Sequence, residues 1–86
     1  MGVVGLTRGI ARECGKHQIT ANCIAAVGIK TEDSVGRRAF PPGARDPIPR
    51  WGRPEEIAFL TVSLCREEAG YVTGQCLLAN GGQYFL

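Results

Sequence analysis

The stretch from Trp51 to Gly82 constrains the fold most, because it predicts a helix, a turn and a strand in quick succession. Pro54 suits a first helical position, where its missing N–H would lack a partner anyway, and two glutamates follow it at the positive end of the helix dipole. We therefore predict a helix from Pro54 to Arg66 and an apolar strand from Gly74 to Ala79. Residues at helical spacing form one mostly apolar face that must be buried: Ile57, Leu60, Thr61, Leu64 and Cys65.

The first half of the chain adds one more helix and one more strand. Apolar residues at helical spacing predict a helix from Gly2 to Lys16, and the run from Ile19 to Ala26 predicts a buried strand. Glycine, proline and charged residues dominate from Glu32 to Arg50 and predict an irregular segment. The order of helix, strand, irregular segment, helix and strand indicates an α/β fold with two parallel strands.

Three motifs in the second half of the chain resemble the C-terminal signature of the short-chain dehydrogenase/reductase family. That signature is a Gly-x-Pro-Glu-Glu-Ile-Ala helix, then Tyr-Val-Thr-Gly-Gln, a strand, and Asp-Gly-Gly or Asn-Gly-Gly. The first motif matches from Gly52 to Ala58, the second from Tyr71 to Gln75, and the third from Asn80 to Gly82. Each piece alone is common, but the ordered set with family-like gaps is specific.

The resemblance implies the C-terminal fragment of a Rossmann-like, doubly wound parallel sheet, similar to 3-oxoacyl-acyl-carrier-protein and acetoacetyl-CoA reductases. Such enzymes transfer a hydride between NAD or NADP and a small-molecule carbonyl or alcohol. Their catalytic Tyr-x-x-x-Lys would precede Gly2, and their Gly-rich dinucleotide loop and catalytic Ser have no counterpart in the sequence. We therefore expect residues 1–86 to form one partial domain that binds no cofactor and catalyses no hydride transfer alone.

Two residues are candidates for cofactor binding through the same resemblance. After the first strand the family carries Asn-x-Ile-x-Pro-Gly-x-Ile-x-Thr, in which the Ile amide and the Thr hydroxyl contact the nicotinamide carboxamide or the phosphates. Ile29 and Thr31 keep these places, whereas the Pro-Gly pair is replaced by Ala26 and Val27. A β-branched residue does not readily take a backbone conformation that glycine supplies. The turn is either lost or moved by one residue to Gly28.

The irregular segment from Glu32 to Arg50 corresponds to the family's substrate lid, and it can equally be a solvated connector. Three of its arginines could attract a phosphate or an acidic carrier-like partner, although three cations in a loop do not establish such a site. They are Arg37, Arg38 and Arg45.

Composition narrows the remaining classes of function. A net charge of +2, without a basic stripe, gives no support for nucleic-acid binding, and no apolar run is long enough to span a membrane. The four cysteines lack Cys-x-x-Cys spacing, so we predict no metal site and reduced, packed thiols in a cytoplasmic protein. They are Cys14, Cys23, Cys65 and Cys76.

A chain of 86 residues can bury only a small core, so help from a partner is expected. The apolar stripe Val3, Leu6 and Ile10 and a small stripe on the same helix invite a neighbour, and the first strand would have an uncovered edge. We expect a homo-oligomer. A small oligomerisation or binding module is therefore an alternative function, and an unrelated activity acquired by the fragment is a third that no motif supports.

Overall fold

The computed structural model describes residues 2–32 and 43–85 of the chain. Within these residues, two α-helices alternate with two strands, in the predicted order, and the α/β fold class is confirmed. Helix α1 spans Gly2–Cys14, strand β1 spans Cys23–Ala26, helix α2 spans Pro54–Leu64 and strand β2 spans Cys76–Ala79. Single 3₁₀ turns follow the helices at Gly15–His17 and Glu67–Ala69.

Strands β1 and β2 form a parallel pair in which Cys23 lies opposite Cys76 and Ala26 lies opposite Ala79. Pairing continues one residue beyond β1, because the Val27 N–H donates to the Ala79 carbonyl at 3.1 Å. The two strands run in the same direction, so the segments that follow them emerge at the same edge of the sheet.

Both strands begin later than the sequence predicts. The first starts at Cys23 instead of Ile19, because Gln18 takes a left-handed conformation with φ of 62° and the Ile19 N–H turns back to donate to the Cys14 carbonyl at 3.3 Å. Gly74 has a φ of 73°, which delays the start of β2. Each strand therefore begins only after a residue with a left-handed backbone conformation.

Side-chain hydrogen bonds supplement the backbone pairing just before β1, where the Gly74 N–H also donates to the Ala21 carbonyl at 2.7 Å. The Asn22 side-chain amide donates to the Val72 carbonyl at 3.0 Å, and its oxygen accepts the Gln75 N–H at 3.1 Å. The Thr73 hydroxyl accepts the Ala21 N–H at 3.1 Å. These bonds align the two strands where regular pairing has not yet started.

Helix α1 presents small residues inward. Among the described residues Ala11 is the only buried hydrophobic residue, and Thr7, one turn earlier, is buried with its hydroxyl donating to the Val3 carbonyl at 2.7 Å. Val3 and Leu6 are 68% and 65% exposed. The stripe predicted to lie uncovered on this helix is therefore on the surface.

The glycine stripe of α1 also faces open space. A Cβ atom added at Gly2, Gly5 or Gly9 would meet nothing within 4 Å. The close neighbour that this stripe predicts does not come from the described part of the chain.

The predicted inner face of α2 is only partly covered. Ile57, Leu60 and Leu64 are half-buried, whereas Thr61 and Cys65, which share their spacing, are exposed. The prediction was wrong for these last two positions. Thr61 donates to the Ile57 carbonyl at 3.0 Å, so its hydroxyl is satisfied within the helix and needs no burial.

Candidate functional site

A cleft of about 850 Å³ opens at the edge of the sheet where both strands end. Ligands of open parallel sheets bind at this carboxyl edge. Five parts of the chain line the cleft: the segment after β1, the segment before α2, the first half of α2, strand β2, and the segment after β2. They include Val27, Gly28, Ile29, Ile57, Leu60, Asn80 and Tyr84. This cleft is the candidate functional site.

The segment after β1 is held in place by a short backbone bridge. Ile29 pairs with Gly52 in the parallel sense: the Lys30 N–H donates to the Gly52 carbonyl at 2.8 Å, and the Gly52 N–H donates to the Gly28 carbonyl at 2.8 Å. A Cβ atom at Gly52 would lie 2.6 Å from the Ile29 Cδ1 atom. The approach of the two segments therefore depends on a glycine at position 52.

Gly28 supplies a turn directly after β1. Its φ is 74°, in the left-handed region that glycine adopts without steric cost, and Val27 has no positive φ. Of the two alternatives that the sequence leaves open, the one-residue shift is the one observed.

The two predicted cofactor-binding residues lie in different surroundings. Ile29 is half-buried and lines the cleft, whereas Thr31 is exposed and is not one of the lining residues. Their contact with a cofactor stays a prediction.

A cluster of three charged residues lies at the start of α2, and two of them, Arg50 and Glu56, line the cleft. Arg50 forms a bidentate ion pair with Glu56, with Nη1–Oε1 at 2.8 Å and Nη2–Oε2 at 3.0 Å. The Glu56 carboxylate also accepts the Arg53 backbone N–H at 3.0 Å. The hydrogen bond from Arg50, followed by that from the Arg53 backbone, lowers the pKa of Glu56 to about 2. Glu56 is therefore ionised throughout the neutral range.

The sequence predicts only that Glu56 interacts favourably with the positive end of the helix dipole, and it does not predict this cluster. A signal was present, because Glu at the third position after a helix N-cap typically reaches back to the N-cap N–H. The partner Arg50 lies outside the helix, and neither periodicity nor motif spacing connects it to Glu56.

The segment after β2 is folded around Asn80, which is buried. Its side-chain oxygen accepts the Gly82 N–H at 2.9 Å, and its amide donates to the Tyr84 carbonyl at 3.0 Å. A Cβ atom at Gly82 would lie 2.9 Å from the Pro47 Cγ atom, and Gly82 has a φ of 82°. The Asn-Gly-Gly motif thus forms the tight turn against which the segment before α2 packs.

Part of the predicted lid lies next to this turn. Residues 43–50 contain no helix or strand, and Arg45 is exposed in a turn closed by Asp46, whose carboxylate accepts the Gly43 N–H at 2.9 Å. Residues 33–42, which include Arg37 and Arg38, lie outside the described residues.

Two classes of site find no support in the part of the chain that the structure describes. Across residues 2–32 and 43–85, no three His, Cys, Asp or Glu side chains come together as metal ligands. No helix within the same residues is long and apolar enough to cross a membrane. All four cysteines are free thiols. The sequence predicts that they are packed, and this prediction is wrong for Cys65, which is exposed.

Comparison with known proteins identifies the fold that carries this cleft. A family model described as enoyl-(acyl carrier protein) reductase matches residues 1–83. The chain belongs to the short-chain dehydrogenase/reductase family. It is 38% identical to the acetoacetyl-CoA reductase of Rhizobium meliloti and 33% identical to the 3-oxoacyl-acyl-carrier-protein reductase of Aquifex aeolicus.

Solved structures of short-chain dehydrogenases/reductases and similar proteins share this backbone. A protein from Thermus thermophilus superposes with a TM-score of 0.84 at 38% identity, over 94% of this chain and 36% of that one. A variant of a Serratia marcescens short-chain dehydrogenase/reductase superposes with a TM-score of 0.78 at 35% identity, over 94% of this chain and 34% of that one.

The match covers nearly all of this chain but a minor part of its relatives. It spans 98% of this chain and 36% of the Rhizobium reductase, and 96% of this chain and 35% of the Aquifex reductase. The chain therefore corresponds to about a third of the length of these curated relatives.

Proposed function

We propose that this chain is the C-terminal part of an NAD(P)-dependent short-chain oxidoreductase and forms the floor of its nicotinamide site. The observation that carries this proposal is the Gly28 turn with the Ile29–Gly52 bridge. It holds backbone groups at the carboxyl edge of the sheet, beside the cleft. A loop that is held in place at this edge can position the flat nicotinamide ring of a cofactor.

The residues present fit only one end of such a cofactor. Ile29 stands at the cleft, and Thr31 follows it on the same loop, so these two would contact the nicotinamide end. Bound nicotinamide supplies or accepts a hydride. In this family the pyrophosphate is held by a Gly-rich loop at a helix N-terminus, and the 86 residues contain no such motif.

We propose that the chain alone catalyses no hydride transfer. Carbonyl reduction needs a general acid held within hydrogen-bond reach of the substrate oxygen, and the family uses Tyr-x-x-x-Lys for this step. Tyr71 and Tyr84 are the only tyrosines of the chain, and neither is followed by lysine at the fourth position. In a longer chain that supplies the missing groups, the substrate would be a small carbonyl compound such as those its named relatives reduce.

Calorimetric titration of the purified chain with NADH and NADPH tests this proposal. We expect no binding at micromolar concentration, since the loop residues contribute only a small part of the contacts. Micromolar affinity that is lost in Thr31→Ala and kept in the control Thr61→Ala would show that the loop suffices for binding, and would overturn the expectation that the chain alone binds no cofactor. The reading frame upstream of Met1 gives an independent check, because an in-frame Tyr-x-x-x-Lys would identify the rest of the enzyme.

A second function, as an oligomerisation module, is favoured by the exposed apolar residues of the two helices. Val3 and Leu6 on α1, and Phe59 and Val62 on α2, are each 63% exposed or more. Burying them against a second copy would add apolar contact to the described part of the chain, in which Ala11 is the one buried hydrophobic residue. We propose a homo-oligomer on this ground.

Sedimentation equilibrium at micromolar concentration measures this association directly. We expect a dimer or a larger species. Leu6→Glu should weaken it, and the control Lys16→Gln, which also makes the chain one charge more negative at an exposed site, should not. A monomer of 9.2 kDa throughout the concentration range would contradict the module proposal.

A further inference from the structure

Two of the four cysteines lie opposite each other in the parallel pairing of β1 with β2, which we call the β1–β2 seam. Cys23 and Cys76 are direct partners in the parallel register, and the Cys23 N–H donates to the Gln75 carbonyl at 2.9 Å. Neighbouring strands lie about 4.8 Å apart. A disulfide needs Cα atoms about 4.4 to 6.8 Å apart. The register alone therefore brings these two cysteines into the range that a disulfide requires.

Their side chains lie on the same face of the sheet, because the two residues are direct partners in the register. A hydrogen bond with the Cys23 thiol, followed by partial burial, raises the pKa of Cys76. Both residues are half-buried free thiols, so small molecules can reach them. Cys14 and Cys65 lie outside the two strands and have no cysteine as a strand partner.

We propose that Cys23 and Cys76 form a redox-sensitive dithiol that closes to a disulfide across the seam, with a low-molecular-weight disulfide such as oxidised glutathione as the oxidant. The pair does not include the loop residues Ile29 and Thr31: both cysteines lie at the start of their strands, and Cys76 also lines the cleft. The proposal does not depend on the proposed oxidoreductase function.

The reaction consists of two thiol–disulfide exchanges. One thiol loses its proton and attacks a sulfur of oxidised glutathione; the S–S bond breaks, a mixed disulfide forms and one glutathione leaves as a thiolate that takes up a proton. The second protein thiol, once deprotonated, attacks the mixed disulfide, forms the Cys23–Cys76 bond and releases the second glutathione. Two protein thiols are oxidised and one glutathione disulfide is reduced to two thiols.

The bond would join parts of the chain that are distant in sequence. Cys23 and Cys76 lie about fifty residues apart, whereas Cys14 and Cys23, or Cys65 and Cys76, lie about ten apart. An unfolded chain closes short loops more readily than long ones, so random oxidation favours the two short pairs. A Cys23–Cys76 bond can therefore be distinguished from oxidation of unfolded protein.

Tryptic mapping after oxidation tests the proposal, because each cysteine falls in its own peptide. Cys14 lies in residues 13–16, Cys23 in 17–30, Cys65 in 51–66 and Cys76 in 67–86. After incubation with oxidised glutathione and alkylation of the remaining thiols, we expect peptides 17–30 and 67–86 to be linked within one chain. Two of the four thiols should be lost, and the linkage should form faster as the pH rises.

The double variant Cys14→Ser/Cys65→Ser should form the same linkage and show a higher unfolding midpoint when oxidised than when reduced. As a control, the unsubstituted chain is oxidised in about 6 M guanidinium, a concentration that unfolds even hyperstable domains. The unfolded chain should form the short pairs instead. A link between any other pair in the native chain, an intermolecular link, or four thiols still free after oxidation would each overturn the proposal.

Discussion

The β1–β2 seam and helix α2 are held by different kinds of interaction. The seam is joined by backbone hydrogen bonds that Asn22 and Thr73 extend through their side chains. Helix α2 is fixed at its first turn by Glu56, but Phe59 and Val62 remain 70% and 63% exposed. Polar contacts thus determine where α2 begins, and apolar burial along its length is incomplete within the described residues.

This difference indicates where a partner would stabilise the chain. A hydrogen bond contributes about 1 kcal/mol net, whereas fully burying a side chain such as Phe or Val contributes about 1.5 to 3 kcal/mol. The seam has already gained most of its hydrogen bonds. Covering the apolar residues of α2 would add more stability than any further improvement of the seam.

The largest expected effect is that of Leu60→Ala, which removes a half-buried contact of α2. Because Leu60 is not fully buried, we expect the loss to lie at the lower end of the usual range for Leu→Ala, about 2 kcal/mol. Denaturant unfolding monitored by circular dichroism measures it. The control Glu67→Ala, at an exposed position, should be close to neutral, and equally small losses in both variants would mean that α2 is not docked.

A smaller effect is expected at the seam from Asn22→Ala. The change removes two side-chain hydrogen bonds, to Val72 and Gln75, at groups that water can reach. We expect a loss of about 1 kcal/mol in the same assay. Gln75→Ala is the matched control, since among the described residues the Gln75 side chain donates only within its own turn, to the Thr73 carbonyl. A loss in the control as large as in Asn22→Ala would remove the special role of Asn22.

The sequence predicted which segments pair, and the ends of those segments depended on contacts it does not reveal. Apolar runs located both strands. The first run starts too early, because Ile19 to Asn22 look like strand residues but are held by a left-handed Gln18 and by the Asn22 side chain. Nothing local in the sequence distinguishes an asparagine that bridges two strands from one in a solvated turn.

The candidate site was predictable to a similar extent. Family spacing placed Ile29 on the loop after β1, and the structure brings it to the cleft. The bridge from Ile29 to Gly52 joins residues far apart in the chain, so no periodicity could predict it. The Arg50–Glu56 pair is missed for a different reason: the two residues are only six apart, but Arg50 lies outside the helix, where no periodicity connects it to Glu56.

The smallest expected effect is the pH dependence contributed by Glu56. Its pKa in the folded chain is lowered from 4.5 to about 2 by Arg50 and the Arg53 N–H. A lowered folded-state pKa stabilises the fold fully above about 4.5, and this contribution is lost as the pH falls toward 2. Glu56→Gln should make the unfolding midpoint depend less on pH across that range, and the control Glu55→Gln should leave the pH dependence unchanged. An identical pH profile in the two variants would exclude the Glu56 cluster as the cause.

Amide hydrogen exchange at increasing protein concentration tests most directly whether the seam is self-sufficient and α2 depends on a partner. We expect the amides of β1 and β2 to show the same protection at every concentration. The amides of α2 should exchange faster in dilute solution and gain protection as the chain associates. Protection of α2 that equals that of the strands and does not change with concentration would contradict this account.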